Sequence, residues 1–550
     1  MSISLVFLWP LVVNFSTHLT SHDDGLLIGW TINWVTSAIL NGQNVFNAPF
    51  LFPFSNSLSF SQQFLSTGLI NLPIYVAGFS IVQAENLHFI LGSVFMFVSM
   101  AALAQHVTKS FPAAILSAII FVFGPLHSEF IVHLHVYLLA GLPIAILSLL
   151  KLSSTPLTNV RATWGWWSLL WLAVLYQALN DPHTLYFTFA SLGVVAISTS
   201  SVRAWIRSCL RGQLAARSAA GLTLISVLGC SLIYWAYSHY LDVSNTFSYT
   251  RSIRDAAHIS YSLNKLVSLE LLWMYFVCIM VWWRSRRKIA DKLVFNQILP
   301  WLILTTLGIT LSLGPVMKID GQTLKLGPLF FPLPYALAYY IMPGFQAMRA
   351  ATRWLVVANL GMAMIAAVGL AQSHLKPVKL WLAVGLITAG CWLLSRPFIQ
   401  VYPTAPLVPS IYHQLARLPD GAVAEFPMFH WDMPPFSSLE AERLMYQTIH
   451  RHPLYNGITG FTPPQRLTDI LWLWQEFPSH NSLKYLRHNN VSFVVVHFDQ
   501  YHDINTVTWR HDGVQVPSLE TIQSGIQNAI SSNSLKQIIC IESACVYSLP

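Results

Sequence analysis

Eleven predominantly apolar runs occupy most of the first 396 residues, and almost nothing charged lies inside them. They fall at about 3–17, 86–107, 111–125, 136–152, 164–180, 184–201, 218–238, 264–283, 295–314, 354–372 and 378–396. Helical runs approaching the roughly 20 residues that cross a hydrocarbon core belong in a bilayer. Composition points the same way. Of 550 residues, 54% are hydrophobic and 9% charged, against roughly 25% charged in a soluble domain. A chain this apolar cannot cover itself with polar surface, so its solvent is lipid. The apolar excess excludes a disordered chain, and six Cys are too few for a disulfide scaffold of this length.

Charge sets the orientation. Residues 1–396 hold 22 Lys/Arg and 10 Asp/Glu, whereas 397–550 hold 8 and 12. The basic residues sit in short loops between apolar runs, which is a topology signal and not a nucleic-acid patch. The stretch 63–82 is apolar enough to span but is interrupted by Pro73 and Gly78. If it does not cross and the N-terminus is cytoplasmic, the inward loops hold fourteen cations against one acid, Asp291. These cations run from Lys109 and Lys151 through Arg203, Arg207 and Arg211 to the Arg284–Lys292 cluster, Lys376 and Lys379. Counting 63–82 as a span inverts that cluster to the outside. Positive-inside bias therefore predicts eleven spans, with 63–82 re-entrant or lying at the interface.

The expected fold class is a polytopic α-helical membrane protein with a C-terminal extracytoplasmic α/β domain. Its membrane domain covers 1–396, with a large first outer loop over 17–85 carrying interfacial helices, and 397–550 forms the outer domain. In that tail, GAVAEFPM (421–428) reads as a strand and LEAERLMYQTIH (439–450) as a helix with an acidic first turn. HNSLKYLRHNNVSFVVVHF (480–498) reads as helix, Asn-Asn turn and strand, and IICIESACVYSL (538–549) as a hairpin. Cys540 and Cys545 face each other across that hairpin either as a disulfide or as two buried thiols. There is no internal repeat, Walker-type GxxxxGKS or GxGxxG, which argues against ATP-driven transport and nucleotide-cofactor chemistry. TH-LTS after the first run is not a small-x-small site, so no cleaved leader is expected.

Ionisable residues at membrane depth are costly and mark sites by default. Outward acids before residue 240 are few: Asp23 and Asp24 after the first span, Glu85, Glu129 after the third and Asp181 after the fifth. Asp23 and Asp24 follow His22 in TSHDDGLLIGWTINW, whose Trp30 and Trp34 are spaced to anchor an interfacial helix. A carboxylate at the mouth of a span, partly dehydrated, accepts a proton from an acceptor hydroxyl at neutral pH. The competing role for the pair is an ordinary helix cap. The second outer loop, PLHSEFIVHLHV, carries His127, Glu129, His133 and His135; if helical, Glu129 and His133 form an i, i+4 pair that a divalent metal bridges. Asp181 and His183 start the sixth span in ALNDPHTLYF, equally well as a turn and helix start. The fifth outer loop ends in Arg349 and Arg353, four apart. On one helical face these make a clamp for a phosphate or diphosphate, or snorkel to lipid head groups.

These pieces, in order, resemble the bacterial C-type membrane glycosyltransferase superfamily (GT-C), which includes protein mannosyltransferases and YfhO-like proteins. The likeness rests on HDDGLLIGWTINW, NAPFLFPFSNSLSFSQQ (47–63), FVFGPLHSEFIVHLHV, NDPHTLYF, MPGFQAMRAATRW, AVAEFPM and PLYNGITGFTPP. It implies an inverting hexosyltransferase of the bacterial cytoplasmic membrane. A polyprenyl-phosphate-linked sugar is the implied donor, and a glycan, lipid or protein hydroxyl the acceptor. The family's first-loop catalytic acid lands on Asp23 or Asp24, and its second-loop polar residue near Glu129. His22, His133, His135, Asp181 and His183 are expected to line the substrate cavity, with Arg349 and Arg353 on the donor phosphate. Lipid phosphate is a fair leaving group, so a divalent cation (Mg or Mn) is optional. The His-Pro-Pro of the mannosyltransferase branch is absent, and that branch's substrates do not carry over. The alternatives are a flippase for lipid-linked glycans and a non-catalytic envelope assembly protein; the lack of a repeat weighs against the flippase.

Overall fold

A computed structural model describes residues 1–248, 250–289, 292–327, 329–373, 375–404, 408–430, 437–504 and 517–550, without side chains for 281–289, 292–293, 326 and 502–504. Asp291 and the side chains of Arg284, Arg286, Arg287, Lys288 and Lys292 thus lie outside the described residues. The chain forms two compact units, each assembled from separate segments. One comprises Met1–Asn14, Asn86–Ser238 and Ser248–Gln400; the other comprises Phe15–Glu85, His239–Phe247 and Val401–Pro550.

The first unit is helical. Among the described residues of the chain, seven helices are long and apolar enough to cross a membrane. Two bent pairs raise the number to nine if each is one span. In one pair, Pro182–Ser198 turns by 91° into Ser200–Leu210. The second arm is amphipathic and carries Arg203 and Arg207, as an interface-lying helix does. The apolar run 3–17 does not form one long helix. It breaks at Leu8 into Ser2–Phe7 and Trp9–Val13, six and five residues, with Pro10 near the start of the second. The run at 164–180 forms the 19-residue helix Val160–Ala178. Its four Trp, Arg161 and Gln177 lower its hydropathy, which separates it from the seven.

The helix Leu355–Gln372 is the core of this unit and is buried along most of its length. It crosses the helix Lys292–Ser312 closely because both present glycine: a Cβ on Gly308 would stand 2.4 Å from the Ala358 nitrogen, and one on Gly361 2.5 Å from the Trp301 carbonyl. Small residues let apolar helices touch backbone to backbone where lipid supplies no hydrophobic drive. Polar side chains mend the backbone at breaks. Pro125 has no N–H for the Phe121 carbonyl, and Asn359 Nδ2 donates to that oxygen at 2.9 Å. Ser395 Oγ does the same for Phe123 at 2.7 Å, as a water-free interior requires.

The second unit joins the first-loop segment to the C-terminal segment. Its mixed sheet runs in the order Ala422–Phe426, Val491–His497, Ala544–Ser548, Lys536–Ile541; the first pair is parallel and the others antiparallel. Helices Ser437–His450, Pro464–Glu476, His480–His488 and Leu519–Ser531 accompany it. Cys540 and Cys545 are register partners in the hairpin and form a disulfide. Because the loop they close is short and already held by the hairpin, reduction or Cys540→Ser is expected to cost at most about 2 kcal/mol. Thermal unfolding with and without a reductant measures it.

Two sequence motifs meet in this unit. In the PLYNGITGFTPP segment, Leu454 and Asn456 exchange backbone hydrogen bonds with Pro49, Leu51 and Phe52 of the first loop. Arg466, 1% exposed, donates to the carbonyls of Tyr455 and Phe52 and stacks over the Tyr455 ring. The helix Asp23–Leu40 packs on Ser437–His450, and Trp30 Nε1 donates to Gln447 Oε1 at 3.2 Å. Trp30 is therefore a core residue and not an interfacial anchor. Trp34 is half-buried and donates to the Val45 carbonyl. The 63–82 stretch contains the helix Leu65–Val76, whose twelve residues are too short to span.

Candidate functional site

In the second unit, Asp23 and Asp24 occupy the first turn of their helix, while His22 holds the cap position without a side-chain cap bond. The aspartates are thus not caps; their charge instead lies at the positive end of the helix dipole. The Asp23 side chain is half-exposed and accepts a hydrogen bond from the Ser437 hydroxyl at 3.3 Å. His22 Nδ1 lies 3.8 Å from Asp23 and its Nε2 lies 3.4 Å from Glu442. Asp23 raises the His22 proton affinity most; burial opposes it and Glu442 adds to it. Glu442 is itself raised, first by burial. The raised imidazole stabilises the fold below its unfolded pKa near 6.5, and that part is lost as pH rises through the folded value. At this exposure the contribution is small.

In the first unit, residues from three predicted outer loops come together. Asp181 is fully buried and caps the helix Pro182–Ser198 by accepting from the Thr184 amide. Its Oδ1 lies 3.2 Å from His183 Nδ1, and His183 Nε2 lies 3.5 Å from Arg353 Nη1. A guanidinium only donates. In that contact His183 meets Arg353 through Nε2 while its Nδ1 faces Asp181. Buried His135 belongs to the same cluster, its ring 5.6 Å from that of His133 and its charge coupled to Asp181, His183 and Arg353. Burial pushes the Asp181 carboxyl up, but His183, His135 and Arg353 outweigh it and hold it below the ordinary carboxylate range. The stabilisation from ionised Asp181 is present above its unfolded pKa near 3.9 and is lost as pH falls through the lower folded value.

Two expected pairings do not form. Arg349 and Arg353 do not share a helical face: the chain passes from a 3-10 turn at Phe345–Ala347 into non-helical backbone at Met348 and Ala350, and only then into a second turn at Ala351–Trp354. Glu129 and His133 are not an i, i+4 helical pair, because the helix ends at Ser128 and His133 adopts non-helical dihedrals. Mostly buried, Glu129 is pushed up by desolvation; the facing Tyr261 hydroxyl and Lys265 pull it back in part, and Glu270 adds to the rise. Glu270 stands in the first turn of the helix Leu269–Ile289, after a bend. Tyr261, Lys265, Ser437 and Glu442 were not legible as site neighbours, since each meets its partner only through the fold. Among the described residues, no group of three or more His, Cys, Asp or Glu is placed to hold a metal ion.

No protein-family model matches the chain, and no curated protein matches it in sequence. Solved structures do match. The chain is similar over its full length to ArnT from Cupriavidus metallidurans bound to undecaprenyl phosphate, at 13% identity and a TM-score of 0.51, covering 96% of that protein. It is also similar over its full length to the arabinofuranosyltransferase AftD from Mycobacteria, at 12% identity and a TM-score of 0.56, covering 41% of that longer chain. Over 91% of its length it resembles the Archaeoglobus fulgidus oligosaccharyltransferase, at 11% identity and a TM-score of 0.51, covering 69% of that enzyme. The chain shares the fold of these three solved proteins. At these identities the likeness concerns the fold; the roles of those proteins' site residues do not transfer with it.

Proposed function

We propose that the chain is a membrane glycosyltransferase that moves a sugar from a polyprenyl-phosphate donor to an extracytoplasmic hydroxyl acceptor, with inversion. The observation that carries this reading is a guanidinium held through a histidine by a fully buried aspartate, inside a helical unit of GT-C fold. The similar ArnT structure holds undecaprenyl phosphate, which favours a lipid phosphate as the anion that Arg353 meets. The excess of inward cations supports an orientation with residues 397–550 outside the cytoplasm of a bacterial inner membrane, where the Cys540–Cys545 disulfide would persist.

In this proposal Asp23 or Asp24 takes the proton of the acceptor hydroxyl. The acceptor oxygen then bonds to the anomeric carbon from the face opposite the leaving group. The bond from that carbon to the phosphate oxygen breaks, its electron pair stays on the phosphate, and Arg353 bears the new charge. Glu129 is assigned to hold the acceptor, and Arg349, His133 and His135 to shape the cavity. The described donor set offers no three-ligand metal group, so no step is routed through one.

The test is turnover of a labelled polyprenyl-phosphate sugar by the purified protein in proteoliposomes. The expected outcome is glycosylated acceptor and free lipid phosphate. Lipid crossing the bilayer with its sugar bond intact overturns the enzyme in favour of the flippase. Arg353→Lys keeps the charge but loses the planar fork. It is expected to lower transfer by about 10–100-fold, and His183→Ala by less, because that change leaves the cation and removes only its orientation. Initial rates at saturating acceptor measure both.

A further inference from the structure

A second feature lies apart from the roles assigned above. Glu85, in the helix Ile81–Thr108, is 1% exposed, and neither carboxylate oxygen meets a hydrogen-bond donor in good geometry, although the Gly29 amide lies alongside. The charged group acting on it is another acid, Asp24. Glycine in the helix Asp23–Leu40 makes its room. A Cβ on Gly29 would come within 2.7 Å of Glu85 Oε2, and one on Gly25 within 3.6 Å of Oε1. The carboxylate lines a pocket with Gly29, Asn33, Asn71, Tyr75 and Phe79. Its empty space is about 250 Å³ including an open mouth, while the enclosed part admits at most one water-sized group.

A buried carboxyl beside a second acid, with only the Gly29 amide alongside, either holds a proton or faces a bound cation. The size of the enclosed space restricts that cation to something as small as a water molecule. A primary ammonium has that size and three donors for the Glu85 carboxylate and the amide oxygens of Asn33 or Asn71, with two aromatic rings nearby. The helix that lends Asn71 and Tyr75 to the pocket also carries exposed apolar side chains. Leu69, Ile70 and Val76 on the helix Leu65–Val76, and Phe79 after it, are 40–72% exposed. This helix is too short to span and presents a lipid-like surface beside an acidic hole. We propose that the pocket binds the primary ammonium of a membrane aminolipid of the phosphatidylethanolamine class, with its chains along the exposed face of Leu65–Val76.

The experiment is native mass spectrometry of the full chain extracted with mixed phosphatidylethanolamine and phosphatidylcholine, which share net charge and differ in headgroup bulk. The wild type is expected to retain the ethanolamine lipid about tenfold over the choline lipid, the factor that a charge-assisted hydrogen bond supports. Glu85→Gln, nearly isosteric, is expected to erase the preference. Methylammonium chloride is expected to displace the lipid and tetramethylammonium chloride at equal ionic strength is not. Equal retention of the two lipids by the wild type overturns the proposal, as does a preference that survives Glu85→Gln. If sodium competes as well as methylammonium and no lipid preference appears, the occupant is an inorganic ion, and the aminolipid assignment fails.

Discussion

The double variant Asp23→Asn, Asp24→Asn is expected to lose about 10²–10⁴-fold in sugar transfer, the range of a removed general base, while still inserting in the membrane. Both changes keep shape and a carbonyl acceptor, so the Ser437 hydroxyl retains its partner at position 23. Losing two carboxylates from a helix first turn costs roughly 0.3–1 kcal/mol each. Removing the Asp24 charge beside Glu85 offsets part of that. The fold therefore survives, and activity is the readout. The single variants divide the role. Asp23 already engages Ser437 and stands beside His22, which leaves its oxygens less open to an acceptor hydroxyl. Asp24→Asn is expected to be the costlier single change. Transfer assays on membrane fractions matched for protein amount decide it, and full activity in the double variant rejects the carboxylate base.

What the sequence discloses here and what it hides divide by the range of the interaction. The run 354–372 is a buried helix because its residues are apolar on every side, which any window detects. The strand at Val491–His497 is legible from its β-branched run and the Asn-Asn turn before it. The break at Leu8 is not legible, since an apolar count cannot distinguish one helix of fifteen residues from two short ones. The Arg349–Arg353 spacing misleads for a related reason: a four-residue interval implies a shared face only on a continuous helix, and Met348 and Ala350 leave helical geometry. The pairing of His183 with Arg353 joins residues 170 apart. Their types marked each as a site candidate, but nothing local says they meet. Trp30 shows the converse, because an aromatic at interfacial spacing is equally suited to a buried contact, here Gln447.

The same long-range blindness conceals a buried ion cluster in the second unit, and it yields the largest expected stability change. Arg443 is 2% exposed. It donates to Glu440 at 2.5 Å, to the Pro427 carbonyl at 2.8 Å and to Gln500 at 2.8 Å, and lies 3.6 Å from Glu425. Glu425, fully buried, also engages Tyr412 and His497 at 2.8 Å each. Arg443→Met removes the cation and leaves both carboxylates buried, a change expected to cost about 3–5 kcal/mol. The pH dependence gives the mechanism away. Burial already lifts Glu440 above the usual range, with Arg443 holding it back, whereas in Glu425 burial is outweighed by His497 and Arg443. Without Arg443 both carboxyls rise. A carboxyl raised in the folded state supports the fold below its unfolded value near 4.3 and withdraws that support as pH climbs toward the folded value. The variant should therefore be least stable relative to wild type at neutral pH and recover toward pH 5. Chemical denaturation of both proteins across that window measures the difference; a deficit that does not shrink on acidification would mean that lost packing, and not stranded charge, is what Arg443→Met exposes.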